Sequence, residues 1–485
     1  MNPPPQNLIF ILSDEHTRDI TGCYGNSRVQ TPHLDRLAAR GTRFANAYTN
    51  SPICVPARAS LATGRYVHQT RHWDNASPYC GEPRSWHHRV RDAGLQIDSI
   101  GKLHFRGAED DNGFSREIEP LHIVEGVGDI HGCIRDNPPV RVKHGSLDAA
   151  GPGTSTYIDY DTRSADNAVN WIRQHAADEE PWVLFLSFVL PHPPYICPPE
   201  LFDLYPADKV RLMPQWHRDD WPDHPAMNAF RRCFDFSRGF DEDLIRRVTA
   251  TYYGMVTCLD QKIGTVLSTL RELDLEETTR VAYTSDHGEC MGARGLFGKF
   301  TMYDESAAVP LIIAGPDVPR DKVVTTPVSL VDIFPSVLDA VGVEAADEDA
   351  DLPGNSLWET AAAADREATV FSEYHAVGSP SGQFMLYDGR YKYIYYVGQS
   401  AQLFDLYEDS HELRDLSAES RHAERMTRFE AQLREMLDPE EIDRQAKTDQ
   451  KARVEAFGGE AAVLRRGSFE NSPAPDEAPR FINRG

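Results

Sequence analysis

Three short runs of the chain stop abruptly on side chains that do chemistry, and this constrains the fold more than any other feature. Leu8 to Leu12 is continuously apolar and ends at Ser13-Asp14-Glu15; Trp182 to Leu190 ends in Pro191-His192-Pro193; Thr279 to Ser285 delivers Asp286-His287-Gly288. A short apolar run without alternation reads as a strand buried on both faces, which belongs in a mostly parallel sheet sandwiched by helices. In such sheets ligands bind beyond the carboxyl ends of the strands. Asp14, His192, Asp286 and His287 are therefore candidates for one shared edge. Leu95 to Ile100 predicts a further strand running into Gly101-Lys102-Leu103-His104, where a lysine and a histidine two apart in an extended segment point to the same side.

Between these strands, Thr31-Pro32 starts a helix with Leu34, Leu37 and Ala38 inward and Gly41 after its end. The stretch Ser51 to Arg65 carries Cys54, Pro56 and Arg58 as C-x-P-x-R. Pro56 suits a first helical turn and Gly64 a stop, so Cys54 falls at a helix N-terminus, where exposed N–H groups favour an anion and Arg58 adds a cation one turn on. Residues 106 to 160 show no sustained period and read as a surface excursion. A helix is expected over Ala165–His175, one or two over Leu244–Leu273, a buried strand over Val309–Ala314 and a helix over Ser329–Val341; Leu201–Phe240 carries no assignable pattern. After about residue 367 the chain changes to short alternating strands (Phe371–Tyr374, Gln383–Tyr387, Arg390–Val397, Gln402–Leu406), with Asp388-Gly389 as a two-residue hairpin turn and a covering helix over Ala423–Leu437. The expected division is a catalytic α/β domain over 1–367, a smaller α+β subdomain over 368–438, and an extended tail over 439–485, either disordered or packed on a neighbouring subunit. The tail suggests a homodimer or homotetramer.

The formal net charge of −25 argues against general affinity for nucleic acid or anionic membranes. A cationic pocket in such a protein needs a reason. Eight scattered cysteines without a C-x-x-C pair, an N-terminus without signal-peptide anatomy and the lack of a long apolar run predict reduced thiols and a cytoplasmic protein.

Taken singly, each candidate has an ordinary explanation: a small buried cysteine, a capping aspartate, surface lysines and histidines. Together, Asp14, Cys54, Arg58, Lys102, His104, His192, Asp286, His287 and Lys299 fall at or near predicted strand ends. Two acids and an imidazole supply ligands for a divalent cation, while Arg58, Lys102 and Lys299 supply charge for an oxyanion. In this context Cys54-Val55-Pro56-Ala57-Arg58, continued by Ala59-Ser60-Leu61 and Thr63-Gly64-Arg65, resembles the signature of type I sulfatases of the alkaline phosphatase superfamily. The resemblance implies that a formylglycine-generating enzyme oxidises Cys54 to formylglycine, whose hydrate attacks sulfur. It further implies a metal held by Asp14, the modified Cys54, Asp286 and His287, sulfate bound by Arg58, Lys102 and Lys299, His104 at the diol, and His192 with Lys299 protonating the leaving alcohol. A geminal diol can take the sulfuryl group on one hydroxyl and expel sulfate through the other, so water need not attack sulfur.

Two departures refine the match. Glu15 stands where many sulfatases have a second aspartate, which puts its ligand role in doubt. Lys299 comes only 13 positions after Asp286, as in choline-sulfatase-like enzymes and phosphonate monoester hydrolases. The latter tend to carry Tyr and Thr where this chain has Lys102 and His104, which favours sulfate. Asn75 falls where those relatives place a substrate-contacting asparagine, a plain loop asparagine being the other explanation. The expectation is hydrolysis of a small organic or aryl sulfate ester. The alternatives are a phosphonate monoester or phosphodiester hydrolase with the same nucleophile, and a non-catalytic anion-binding protein. Calcium is the expected ion, with manganese and magnesium open.

Overall fold

Alternation along the first strand sets the layers of the protein. In β1 (Asn7–Asp14), Leu8, Phe10 and Leu12 enter one apolar cluster and Ile9 and Ile11 the other, as the two-residue period of a strand buried on both faces requires. The computed structural model describes residues 6–141, 144–475 and 477–482. The strands β2 (Gly41–Phe44), β3 (Gln96–Lys102), β4 (Arg116–Leu121), β5 (Trp182–Pro191), β6 (Thr279–Ser285), β7 (Leu311–Ala314) and β8 (Lys322–Val324) join β1 in one sheet of order β8-β2-β7-β6-β1-β5-β3-β4. Only β7 runs antiparallel to its neighbours. One face is covered by α1 (Pro32–Arg40), α3 (Thr156–His175) and α4 (Glu242–Glu272), the other by α2 (Cys54–Thr63) and α5 (Ile333–Val341). This is the mixed, mostly parallel sandwich expected.

The four central strands β6, β1, β5 and β3 are consecutive neighbours. Their carboxyl ends therefore lie side by side and carry Asp286-His287, Asp14, His192 and Lys102. The pairing of β1 with β5 slips between Leu12 and Asp14, and that of β3 with β4 between Ile100 and Lys102. Irregularities of this kind re-aim side chains, and both occur at the strand ends that matter. Gly101 makes the second one possible: it has a φ of 97°, and a Cβ there would lie 2.1 Å from the Ser187 carbonyl oxygen.

Several elements differ from expectation. The segment after Lys102 is not extended, because His104 adopts a φ of 59°. Residues 106–160 contain β4, an edge strand of the main sheet; it carries an exposed Arg116 and half-buried Glu117 and Glu119, which hid it from an apolar pattern. Helix α3 begins at Thr156, not Ala165. Its first half presents Asp161 to the interior, where the carboxylate accepts N–H bonds from Val189 at 2.9 Å and Leu190 at 2.7 Å. A buried polar residue on the inner face broke the apolar period. The open question over Leu244–Leu273 resolves to the single helix α4, started by Asp241, which accepts from the Leu244 N–H at 2.8 Å. Unassigned in sequence, 201–240 contains a helix over Pro225–Cys233.

A separate antiparallel sheet follows: β9 (Val370–Tyr374), β10 (Gln383–Tyr387), β11 (Tyr391–Tyr396) and β12 (Gln402–Asp405), covered by α6 (Ala423–Met436) through Phe429 and Leu433. The hairpin turn is shifted by one residue from the expected Asp388-Gly389. The Asp388 N–H donates to the Tyr391 carbonyl, leaving Gly389 and Arg390 at the corner, and the Asp388 carboxylate accepts from the N–H groups of Arg390 and Tyr391. The stretch expected as an extended tail forms α7 (Pro439–Ala456) and α8 (Glu460–Arg466), which pack on this same chain. The segment beyond them folds back, with Ser468 and Ile482 exchanging backbone hydrogen bonds. The reason for expecting an oligomer, a tail without a partner, is thus met within the chain. Among the described residues no helix is long and apolar enough to cross a membrane.

Burial raises the Asp161 carboxyl from 3.8 to about 7, against the two N–H bonds it accepts. A raised acid keeps its proton in the fold after the unfolded chain has lost it, so stability falls as pH rises between those values. Relative to Asp161→Asn, the wild-type protein is expected to lose unfolding free energy from about pH 4 to about pH 7 and to level off above it; a pH-independent difference in urea unfolding contradicts this.

Candidate active site

The site begins with the start of α2. Ile53 is extended and Cys54 is the first helical residue; Gly64 ends the helix in a left-handed conformation. Cys54 is buried, with Sγ 3.2 Å from His287 Nε2 and 3.7 Å from Asp14 Oδ1. Of the N–H groups expected to favour an anion, that of Val55 is taken by Asn75 Oδ1 at 3.0 Å. Asn75 therefore holds the helix start, while also lining the pocket.

Arg58, one turn on, ties the edge together. Its Nε donates to Asp286 Oδ2 at 2.8 Å, and its Nη1 donates to the Lys102 carbonyl at 2.7 Å and to Ser187 Oγ at 3.0 Å. Its Nη2 lies 3.5 Å from Asp14 Oδ2 and, though buried, has no hydrogen-bond partner among the described residues. Lys102 Nζ forms an ion pair with Asp14 Oδ2. Across the edge, Lys299 Nζ donates to Glu15 Oε2 at 2.7 Å, and His192 Nε2 lies 3.4 Å from the same oxygen.

One ligand atom each from Asp14, Cys54, Asp286 and His287 lies within 4.8 Å of the others, and all four residues are buried. His287 Nδ1 is engaged by the Gly288 carbonyl at 3.0 Å, which leaves Nε2 facing the cluster. That is the orientation a metal-binding imidazole needs. This donor set fits a divalent cation. Glu15 stands outside the four but forms a second such group with Asp14 and His192.

The electrostatics follow from burial and crossed charges. Burial alone would raise Asp14, but Lys102, His192, Arg58 and Lys299 outweigh it and hold the carboxyl well below its usual range. Glu15 is likewise held down to about 2, with Lys299 overcoming burial. Burial would lower His287, yet the charges of Asp286 and Cys54 raise it to about 9, so the cluster favours positive charge. Burial opposes the charge on Lys299, but Cys54, Glu15 and Asp14 hold its ammonium well above its usual value. Burial and Lys299 push His192 down to about 3. Burial and Lys102 push His104 well down, so both imidazoles are neutral.

All ten residues singled out in the sequence lie in this region, and several uses were not legible there. Glu289 Oε1 accepts from the N–H groups of Met291 at 2.9 Å and Gly298 at 2.6 Å, fixing the loop that carries Lys299; its place in Asp286-His287-Gly288-Glu289 was the available signal. The pocket beyond is walled by Phe234, Phe236, Phe297 and Phe300, with Arg141 paired bidentately to Asp129 at 2.7 Å. Phe469 to Ser472 of the C-terminal segment complete the wall, and nothing in their sequence announced it.

A family model described as Sulfatase matches residues 6–343, and one described as N-sulphoglucosamine sulphohydrolase, C-terminal, matches 292–439. The chain is 32% identical over 441 residues to arylsulfatase K of Danio rerio, covering 85% of this chain and 80% of that one. It is 30% identical over 437 residues to the choline-sulfatase of Rhizobium meliloti (strain 1021), covering 86% and 83%. A solved phosphonate monoester hydrolase from Silicibacter pomeroyi superposes with a TM-score of 0.72 at 24% identity, covering 89% of this chain and 95% of that one, which is a likeness of fold.

Arg58→Met removes the cation that lies between two buried carboxylates. In the protein with an unmodified Cys54 thiol, it is expected to cost about 3–5 kcal/mol of unfolding free energy at pH 7. Urea denaturation reads this directly, and a loss below about 1 kcal/mol, the scale of an exposed pair, rejects the bridging role.

Proposed function

The chain belongs to the sulfatase family, and from that premise we propose that it hydrolyses a small organic or aryl sulfate ester with a nucleophile made from Cys54. The observation that carries this reading is the buried group Asp14, Cys54, Asp286 and His287 beside two ammonium groups and Arg58 Nη2, which makes no hydrogen bond among the described residues. A buried donor without a hydrogen bond among the described residues and a concentration of cations suit a bound sulfuryl oxygen.

In this reading Asp14, Asp286, His287 and the modified Cys54 hold one divalent cation, which supplies Lewis-acid stabilisation of charge at the reacting centre. Calcium suits two carboxylates and an oxygen nucleophile, with magnesium and manganese as the competing ions. Formylglycine, installed by a formylglycine-generating enzyme, supplies a hydrated aldehyde as the attacking group. Arg58, Lys102 and Lys299 orient the sulfate. His104, neutral and buried, takes the proton from a hydroxyl of the nucleophile. Lys299 with His192 protonates the leaving oxygen, Lys299 as the charged member; His192, neutral with Nδ1 at the Pro193 carbonyl at 2.6 Å, lies beside the Glu15 oxygen that Lys299 binds. Asn75 keeps a substrate-contacting role only in addition to holding the Val55 N–H. Residues 1–367 would form the catalytic unit and 368–438 its supporting subdomain. Eight cysteines present as free thiols support a reducing, cytoplasmic setting.

Co-expression with the maturation enzyme should convert Cys54 to formylglycine, seen in the mass of its peptide. The matured protein should turn over 4-nitrophenyl sulfate, and Cys54→Ala should lose at least about a hundredfold of that rate. Faster turnover of a phosphonate monoester or phosphodiester than of any sulfate selects the alternative hydrolase, and full activity in Cys54→Ala rejects the mechanism. Calcium at about 100 times its Kd should add roughly 2.7 kcal/mol of stability. Asp286→Asn should abolish that gain, and a larger gain with manganese or magnesium at the same free concentration as calcium changes the assigned ion.

A further inference from the structure

The C-terminal segment reaches back to the site, where it meets His104 directly and the carbonyl that also binds His192. Ser472 Oγ lies 2.8 Å from His104 Nε2. With its amide nitrogen turned toward the acceptors, Asn471 donates to the Pro193 carbonyl at 3.0 Å, the same oxygen that meets His192 Nδ1. The segment is anchored on several sides. Tyr157 Oη donates to the Ser472 carbonyl. Glu477 Oε2 accepts from the Ala474 N–H at 3.1 Å and from Thr156 Oγ1 at 3.0 Å. The Arg466 guanidinium lies 4.8 Å over the Phe481 ring and donates to the Gly128 carbonyl at 2.7 Å. Ser472 is therefore held in place by its own backbone, independently of His104.

His104 needs such a partner. Its backbone is in the left-handed region, and its ring is buried with Nδ1 lacking a hydrogen-bond partner among the described residues. A neutral imidazole carries one N–H and one lone pair, and which nitrogen holds the proton is set by the bond the other makes. The Ser472 hydroxyl can meet either form of Nε2; accepting from Nε2–H, it holds the proton there and leaves the lone pair on Nδ1, the nitrogen that has no partner among the described residues. When Nδ1 takes a proton, the Nε2–H bond to Ser472 becomes charge-assisted and strengthens.

We propose that Ser472 is a positioning residue for catalysis: it fixes His104 as the Nε2–H tautomer, so that Nδ1 is the atom that receives the nucleophile's proton. The proposal rests on the sulfatase reading. The proton passes from a hydroxyl of the nucleophile to Nδ1 as sulfate departs and the aldehyde re-forms, and it is then released to solvent. Ser472 neither gains nor loses a proton in this step. Residues 469–472 are thereby part of the active site, supplied by the same molecule.

The test compares the wild-type protein with Ser472→Ala and Ser472→Thr. In the matured enzymes, Ser472→Ala should lower kcat on 4-nitrophenyl sulfate about tenfold with KM within twofold, and Ser472→Thr, which restores the hydroxyl, should recover kcat to within threefold. In the unmodified thiol proteins, nitrogen-15 NMR of the histidines, with His104 assigned by its absence in His104→Asn, should show the Nε2–H tautomer in the wild type and in Ser472→Thr, and its loss in Ser472→Ala. An unchanged kcat in Ser472→Ala, equal losses in both variants, or an Nδ1–H tautomer in the wild type overturns the proposal. Absence of ester turnover in the matured wild type together with the expected NMR pattern would instead locate the failure in the sulfatase reading.

Discussion

Arg58 is buried with one guanidinium nitrogen on Asp286, another on the Lys102 carbonyl and the Ser187 hydroxyl, and a third facing Asp14. Taking two carboxylates, a guanidinium and the Lys102 ammonium out of water together is costly, and it is tolerated only when geometry satisfies nearly every donor and acceptor. Much of the fold serves that requirement. Four parallel strands must be adjacent for their carboxyl ends to converge, α2 must start where Cys54 meets His287, and the slips near Asp14 and Lys102 must turn those side chains inward. The third guanidinium nitrogen faces Asp14 at 3.5 Å without a hydrogen bond among the described residues.

Around this charged floor the walls are of a different kind. The phenylalanines at 234, 236, 297 and 300 belong to the main apolar cluster and line the pocket at the same time. The Arg141–Asp129 pair and the C-terminal segment close the remaining sides. Floor and walls are thus separable: the floor is built from fixed charges on strand ends, and the walls from loops that strand geometry does not dictate.

The small antiparallel sheet is joined to the main body by charge as well as by apolar contact. Lys392 of β11 pairs with Asp304, and its Nζ lies 2.7 Å from Glu412. Asp304 in turn meets Arg18 at 2.9 Å, in the loop that follows β1. The ion-pair network therefore runs from the small sheet to residues close behind Glu15. The small sheet was legible from its alternating strands, whereas this connection was not, because Lys392 in a strand of alternating polarity reads as a solvent-facing residue.

The sequence by itself determined the parallel sheet, the edge at which the site forms and nearly every charged residue in it. Continuous apolar runs must be buried on both faces, and an acid or histidine at the end of such a run has few places to go. Only the tertiary structure decided which of these groups share partners: that Glu15 pairs with Lys299 and His192 rather than joining the four-residue cluster, that Asn75 holds the helix start, and that Asp161 is an interior acceptor rather than a helix breaker. It also decided that residues after 438 are helices and a returning segment on the same chain, with Ser472 at His104. The physical reason is common to all of these. Local periodicity records what must leave water, whereas the pairing of polar groups depends on distances between residues hundreds of positions apart, and no local pattern encodes those.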